Sequence, residues 1–123
     1  MLFDKQTIAG LYLNRLKKGM KLESDPTVIF AKNDFTIKRV LTRYLSFNSP
    51  YNTYLHTGLP PGPIMMPSVN AINSVLDYKK SDYIYMCAKA DFSGYHAFAI
   101  NIAEHEMNAH KFQQALNERN IKR

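Results

Sequence analysis

Two carboxylates, Glu23 and Asp25, stand two positions apart in the segment MKLESDPTVIF. In extended backbone that spacing puts both side chains on one face. Paired carboxylates in unlike environments can run glycoside chemistry, one of them kept protonated as the acid. The same residues have a plainer reading, which the spacing alone favours: Asp25 caps a short helix with Pro26 at its first position, and Glu23 is solvated. Further on, YNTY (51–54) sets two tyrosines around two polar residues, next to the stretch GLPPGPI. A tyrosine gives a flat apolar face with a polar tip, which suits a sugar ring; it serves equally well as a core aromatic beside a turn.

Other candidate chemistries fail on spacing or on donor count. HEMNAH (105–110) has its histidines five apart. A zinc helix needs them four apart, and the extra residue turns the second ligand about 140° from the first. His105 falls instead on an apolar stripe, where a partly buried, hydrogen-bonded histidine is the expectation, and no metal site is expected. A glycine-rich loop can cradle phosphate with backbone N–H groups. Pro60, Pro61 and Pro63 remove three such donors from residues 59–63, and no GK[ST] follows. The loop is therefore a rigid wall, and the exposed-looking Met65 and Met66 beyond it are packing or groove-lining residues. Cys87 is the single cysteine and lies in the apolar run YIYMCAKA, which suits a buried, inert thiol.

Composition sets broader limits. The chain has 123 residues, 46% hydrophobic and 21% charged, as expected of one globular domain spanning 1–123. The net charge is +6, but the basic residues are scattered over RLKKGMK, the Lys38–Arg43 region and the tail RNIKR. No basic stripe interleaved with aromatics marks a nucleic-acid module, so a solvated basic face is expected and no nucleic-acid partner. No run approaches the roughly 20 apolar residues of a membrane span. The start, MLFDKQ, is not a signal peptide.

The elements that must position these groups follow from periodicity and caps. Apolar spacing over TIAGLYLNRLKK predicts a helix at 7–18 stopped by Gly19, where Gly10 permits close packing. A short helix runs from the Asp25–Pro26 start to about Ala31. IKRVLTRYL (37–45), with Thr36 as cap, has the cleanest amphipathic spacing of all. Ser68 caps VNAINSVLDY, with Val69, Ile72, Val75 and Leu76 inward. YIYMCA (83–88) is a buried strand, DFSG (91–94) a turn, and YHAFAI (95–100) the antiparallel return. Asn101 and Glu104 form a capping box for a last helix to about Asn117, whose stripe is Phe98, Ile102, His105, Ala109, Phe112 and Leu116. The expected class is α+β: several helices packed around a small antiparallel sheet with a late hairpin.

In this order, GLYLNRLKKGMKLESDPTVIF, SPYNTYLHTGLPPGPI with Pro67, YIYMCA and GYHAFAINIAEH resemble the YceG-like family of endolytic murein transglycosylases over essentially the whole chain. The resemblance implies a bacterial enzyme that cuts peptidoglycan glycan strands between N-acetylmuramic acid and N-acetylglucosamine. The sugar's own primary hydroxyl attacks in place of water, leaving a 1,6-anhydro-muramoyl end, and one glutamate acts first as acid and then as base. It further implies an N-terminal membrane helix holding the enzyme in the cell envelope, at the outer face of the cytoplasmic membrane. Peptidoglycan is the implied partner, with cell-wall synthesis proteins as possible others, and no cofactor is implied.

The pattern is incomplete. The family's catalytic glutamate lies in an acidic E-x-E stretch just before the segment matching TIAGLYLNRL, and MLFDKQ contains no glutamate. The chain is therefore expected to be the C-terminal portion of the catalytic domain, without the membrane anchor, a LysM-like part or the catalytic segment, and to be inactive alone. The general-acid role passes neither to Asp4 nor to Glu23. The matching positions are Glu23 and Asp25 in the [QE]-x-DPT segment, and Tyr51, Asn52, Thr53 and Tyr54. These are the implied substrate-binding residues: Asn52 and Asp25 bond sugar or orient the glutamate, and Tyr54 lines the groove. The alternative is a non-catalytic peptidoglycan-binding or scaffolding piece. An aminodeoxychorismate lyase label, also attached to the family, would need a phosphate cup that the proline-rich loop cannot supply.

Overall fold

The computed structural model describes residues 2–38 and 40–119, without the side chains of residues 2 and 3. These residues pack as two units, one of 2–14 with 67–119 and the other of 15–66. The class is α+β, with four α-helices and one two-stranded antiparallel sheet among the described residues.

Helix α1 (Leu2–Lys18) starts earlier than apolar spacing predicts and contributes to both units. Asp4 lies in its first turn and Arg15, Lys17 and Lys18 in its last, each sign opposite to the helix dipole at that end. It ends at Gly19, whose φ is +69°. In the first unit, the segment after α3 (Val69–Leu76) runs along α1. Lys79 donates its N–H to the Gln6 carbonyl at 3.0 Å, and the Asn14 amide donates to the Ser81 and Tyr83 carbonyls at 2.8 and 2.9 Å. Gly10 sits where a Cβ would run into the Lys79 carbonyl oxygen, so the close packing expected there is present.

Helix α3 begins as predicted, the Ser68 hydroxyl accepting the Ala71 N–H at 3.1 Å. Its apolar stripe does not face inward, however. Val69, Ile72, Val75 and Leu76 are 72%, 46%, 51% and 77% exposed, and the more covered side is that of Ala71 and Ser74. Amphipathic spacing fixes which face is apolar, and among the described residues nothing covers it. With so little tertiary packing, the cap carries much of the helix's stability. Ser68→Ala is expected to cost about 1 kcal/mol, seen as faster amide hydrogen exchange confined to 69–76; unchanged exchange would rule that out.

Strands β1 (Tyr85–Ala88) and β2 (His96–Ala99) pair antiparallel, Tyr85 opposite Ala99 and Ala88 opposite His96. Both are shorter than expected, and β1 is half-buried along its length rather than fully buried. The DFSG turn is present, with Phe92 and Gly94 at positive φ and Asp91 accepting the Ser93 N–H. Helix α4 (Ile102–Glu118) covers the hairpin. Asn101 caps it by accepting the Glu104 N–H at 2.9 Å, while the Glu104 carboxylate reaches back to the N–H of Ile100, one residue before the cap. His105 stacks on Tyr85 at 5.0 Å, Phe112 meets Phe92 at 5.9 Å, and Leu116 is buried. Ile102, the first member of the predicted stripe that lies within the helix, is exposed.

The second unit has a core of Val28, Ile37 and Tyr44, against which Ile29, Val40, Leu41, Leu45 and Tyr54 pack. Helix α2 (Asp25–Lys32) supplies Val28 and closes on Asn33 in left-handed backbone. The predicted helix at 37–45 does not form; only a 3-10 turn, Thr42–Tyr44, is present in the described part. Asp34 takes both the N–H and the hydroxyl of Thr36, at 3.2 and 2.5 Å, so Thr36 cannot serve as cap. Leu41 is extended, and the β-branched Thr36, Ile37 and Val40 weigh against helix. The apolar spacing there reflects a shared core reached by irregular chain.

Candidate functional site

All six sequence-predicted site residues lie in the second unit, on two segments stitched together by hydrogen bonds. Glu23 opens the first segment at a positive φ of 49°, and its N–H donates to the Thr53 carbonyl at 3.3 Å. The Ser24 N–H donates to the Thr53 hydroxyl at 2.9 Å, and that hydroxyl shares a 2.8 Å hydrogen bond with the Thr27 hydroxyl. These links hold the start of α2 against the YNTY turn.

Within the turn the two polar residues point inward. Asn52 is completely buried and has every side-chain polar atom engaged. Its amide donates to the Leu45 and Phe47 carbonyls at 3.0 and 2.8 Å, and its carbonyl oxygen accepts the Tyr54 N–H at 2.9 Å. Thr53 is 2% exposed. Both residues therefore brace the loop, and neither presents an atom to a ligand. The half-buried Tyr51 ring packs against Phe30 at 4.9 Å. Its hydroxyl lies where a Cβ on Gly62 would come within 3.2 Å, which accounts for a glycine among the prolines of the stiff loop. Met65 and Met66, beyond that loop, are 71% and 88% exposed.

Glu23 and Asp25 are exposed, and the half-buried Tyr54, whose ring lies partly on the core, brings its hydroxyl out to Asp25; the two carboxylates do not act as a pair. The Glu23 carboxylate sits 3.7 Å from the guanidinium of Arg15, whose buried side chain also donates to the Lys21 carbonyl. Asp25 is not the cap of α2, a position held by the extended Ser24. Standing one residue inside the helix, Asp25 accepts the Tyr54 hydroxyl at 2.5 Å across 29 residues of sequence. Although part of Asp25 reaches solvent, neighbouring heavy atoms crowd its carboxyl. Desolvation raises its pKa above the ordinary value, and the Tyr54 hydrogen bond opposes this only in part. The site thus offers a hydroxyl–carboxyl pair that can accept and donate hydrogen bonds on a partly dehydrated surface.

The sign of that shift gives a test. A carboxyl whose folded pKa is raised favours folding while it is protonated, and that contribution is lost as pH rises through the folded value. Asp25→Asn is therefore expected to melt no lower than the parent at pH 7 and to gain less stability than the parent on acidification through the carboxylate range. A variant that melts lower at pH 7 in a thermal series would show that the ionised form is the stabilising one.

Sequence reasoning missed Thr27 and Arg15. Thr27 is 5% exposed and closes the stitch to Thr53; a threonine inside an otherwise apolar helix was the available signal. Arg15, 5% exposed in the last turn of α1, resembles any helix-ending cation until its partners are known.

A model of the YceG-like family matches residues 3–111. An endolytic murein transglycosylase of Bacillus subtilis is 40% identical over 116 residues, which cover 94% of this chain and 31% of that protein. An endolytic murein transglycosylase of Streptococcus pneumoniae is 33% identical over 109 residues, covering 85% and 20%. A crystal structure of a YceG-like protein from Listeria monocytogenes aligns with a TM-score of 0.79 at 38% identity, over 85% of this chain and 33% of that one. The chain spans a third or less of the length of these relatives.

Proposed function

The chain belongs to the YceG-like family, and from that premise we propose that it forms part of a peptidoglycan lytic transglycosylase and contributes glycan contacts to it. The observation that carries the reading is the Asp25–Tyr54 pair, joined at 2.5 Å on the outer side of a braced turn. Asp25 Oδ1 takes the tyrosine hydroxyl, and Oδ2 accepts from a sugar hydroxyl. The Tyr54 ring supplies an apolar face for the sugar's C–H side. Asn52, Thr53 and Thr27 position the pair, and Tyr51 with the Pro/Gly loop stiffens its rim.

In the reaction the C6 hydroxyl of the muramoyl unit attacks its own C1, and the bond from C1 to the glycosidic oxygen breaks. One proton passes from an acid to the leaving oxygen and another from the attacking hydroxyl to the resulting base, so no water is consumed. The acid is a glutamate in the stretch that precedes the matched segment in the family, and no residue of 1–123 takes that role. The place of action is the cell envelope, at the outer face of the cytoplasmic membrane.

Co-sedimentation with purified peptidoglycan at physiological salt tests the binding part. The chain should pellet with the polymer, Asp25→Asn should weaken binding roughly tenfold and Tyr54→Phe somewhat less. Binding that vanishes with added salt and ignores both substitutions would reduce the interaction to the chain's net charge of +6.

A further inference from the structure

Asp4 and His96 form a pair that the proposed reading does not use. Asp4, in the first turn of α1, is 8% exposed. Its Oδ2 accepts the backbone N–H of His96 at 2.6 Å and lies 3.1 Å from the ring Nδ1. An ionised carboxylate only accepts hydrogen bonds, so a neutral imidazole in this contact carries its proton on Nδ1 and presents Nε2 as an acceptor. Nε2 has no hydrogen-bond partner among the described residues, and the side chain keeps 28% of its surface open. Phe98 lies beside it, ring centroids 6.3 Å apart, and stacks in turn on Tyr83 at 5.3 Å.

A fastening between helix and strand needs only the backbone bond to Asp4. The second contact, to the ring, does something further by fixing which nitrogen is free. An acceptor nitrogen beside aromatic faces matches a sugar, whose hydroxyl donates while its C–H face lies against a ring. We infer that His96 Nε2 accepts a hydroxyl of the glycan strand, with Asp4 as the positioning residue that sets its tautomer. The inference rests on the glycan reading above.

Both contacts fall on Asp4 Oδ2, so an amide oxygen in its place would keep both, and Asp4→Ala is the variant that removes them together. With no acceptor at Nδ1 the ring proton passes to Nε2, which turns an acceptor into a donor. Imidazole 15N NMR on the chain should show the Nδ1–H form in the parent and the Nε2–H form in Asp4→Ala, with a cooperative melt showing that the variant is folded. Titration with an N-acetylglucosamine–N-acetylmuramic acid oligosaccharide should move the His96 Nε2 resonance in the parent. Binding should fall roughly tenfold in Asp4→Ala and in His96→Gln. An Nε2–H tautomer in the parent overturns the inference. So does unchanged affinity in both variants when Asp25→Asn weakens binding, and in that case the glycan reading stands. A parent that binds no oligosaccharide overturns both.

Discussion

Asn52→Ala should destabilise the unit of residues 15–66 by about 2–4 kcal/mol. The side chain donates to two carbonyls, those of Leu45 and Phe47, and accepts the N–H of Tyr54, all inside a residue with no exposed surface. Removing a surface amide would be nearly neutral because water replaces it. Here alanine leaves two partly buried carbonyls without their donors, and a buried group so stranded costs about 1–3 kcal/mol. Asn52→Asp is the sharper variant, since it keeps the shape but turns acceptor oxygens toward both carbonyls. Urea unfolding followed by a probe in 15–66 should show both variants shifted to lower midpoints, aspartate at least as far as alanine. Shifts within about 0.5 kcal/mol of the parent would mean that the turn holds itself without this residue. Impaired glycan binding in an Asn52 variant is accordingly a stability effect, whereas Asp25→Asn leaves the bracing bonds in place.

Gly10→Ala is a case where two effects oppose each other. Helix propensity favours alanine over glycine by up to about 1 kcal/mol. Against it stands the Lys79 carbonyl, a backbone atom fixed by the Lys79 N–H bond to Gln6, with the Tyr78 ring behind it. A flexible side chain could swing away, but a backbone carbonyl held at its own residue moves only with its segment. Overpacking of this kind costs about 1–3 kcal/mol, so the contact should win and the variant should melt below the parent. Gly10→Val should be worse, adding two methyl groups at the same point. An alanine variant as stable as the parent would show that the 77–83 segment shifts freely along α1.

Much of the fold was legible because local rules and burial agree there. Ser68 and Asn101 cap α3 and α4 as their residue types dictate, and the YIYMCA and YHAFAI segments pair around DFSG. The failures have physical causes. At 37–45 the apolar spacing matched a helix, yet Asp34 captured the Thr36 side chain and the residues reached the same core by other backbone. On α3 the stripe was real, but a stripe does not say what covers it. The candidate site was legible as a set of residues and not as an arrangement. Asn and Thr in a turn are ordinarily read as solvent-facing; Asn52 and Thr53 instead point inward, Thr53 because its partners lie 26–29 residues back along the chain. The link from Tyr54 to Asp25 spans a similar distance, and no spacing rule encodes it.

Whether residues 1–123 serve a lytic transglycosylase, as proposed, is read from the ends of the glycans that are released. The polypeptide that carries residues 1–123 in the cell is incubated with purified peptidoglycan, and the soluble products are read by mass spectrometry. Muramoyl ends lighter by one water than a reducing end are expected, the mark of 1,6-anhydro closure. Products that end in ordinary reducing muramic acid, or glycan strands left uncut, would contradict the proposal.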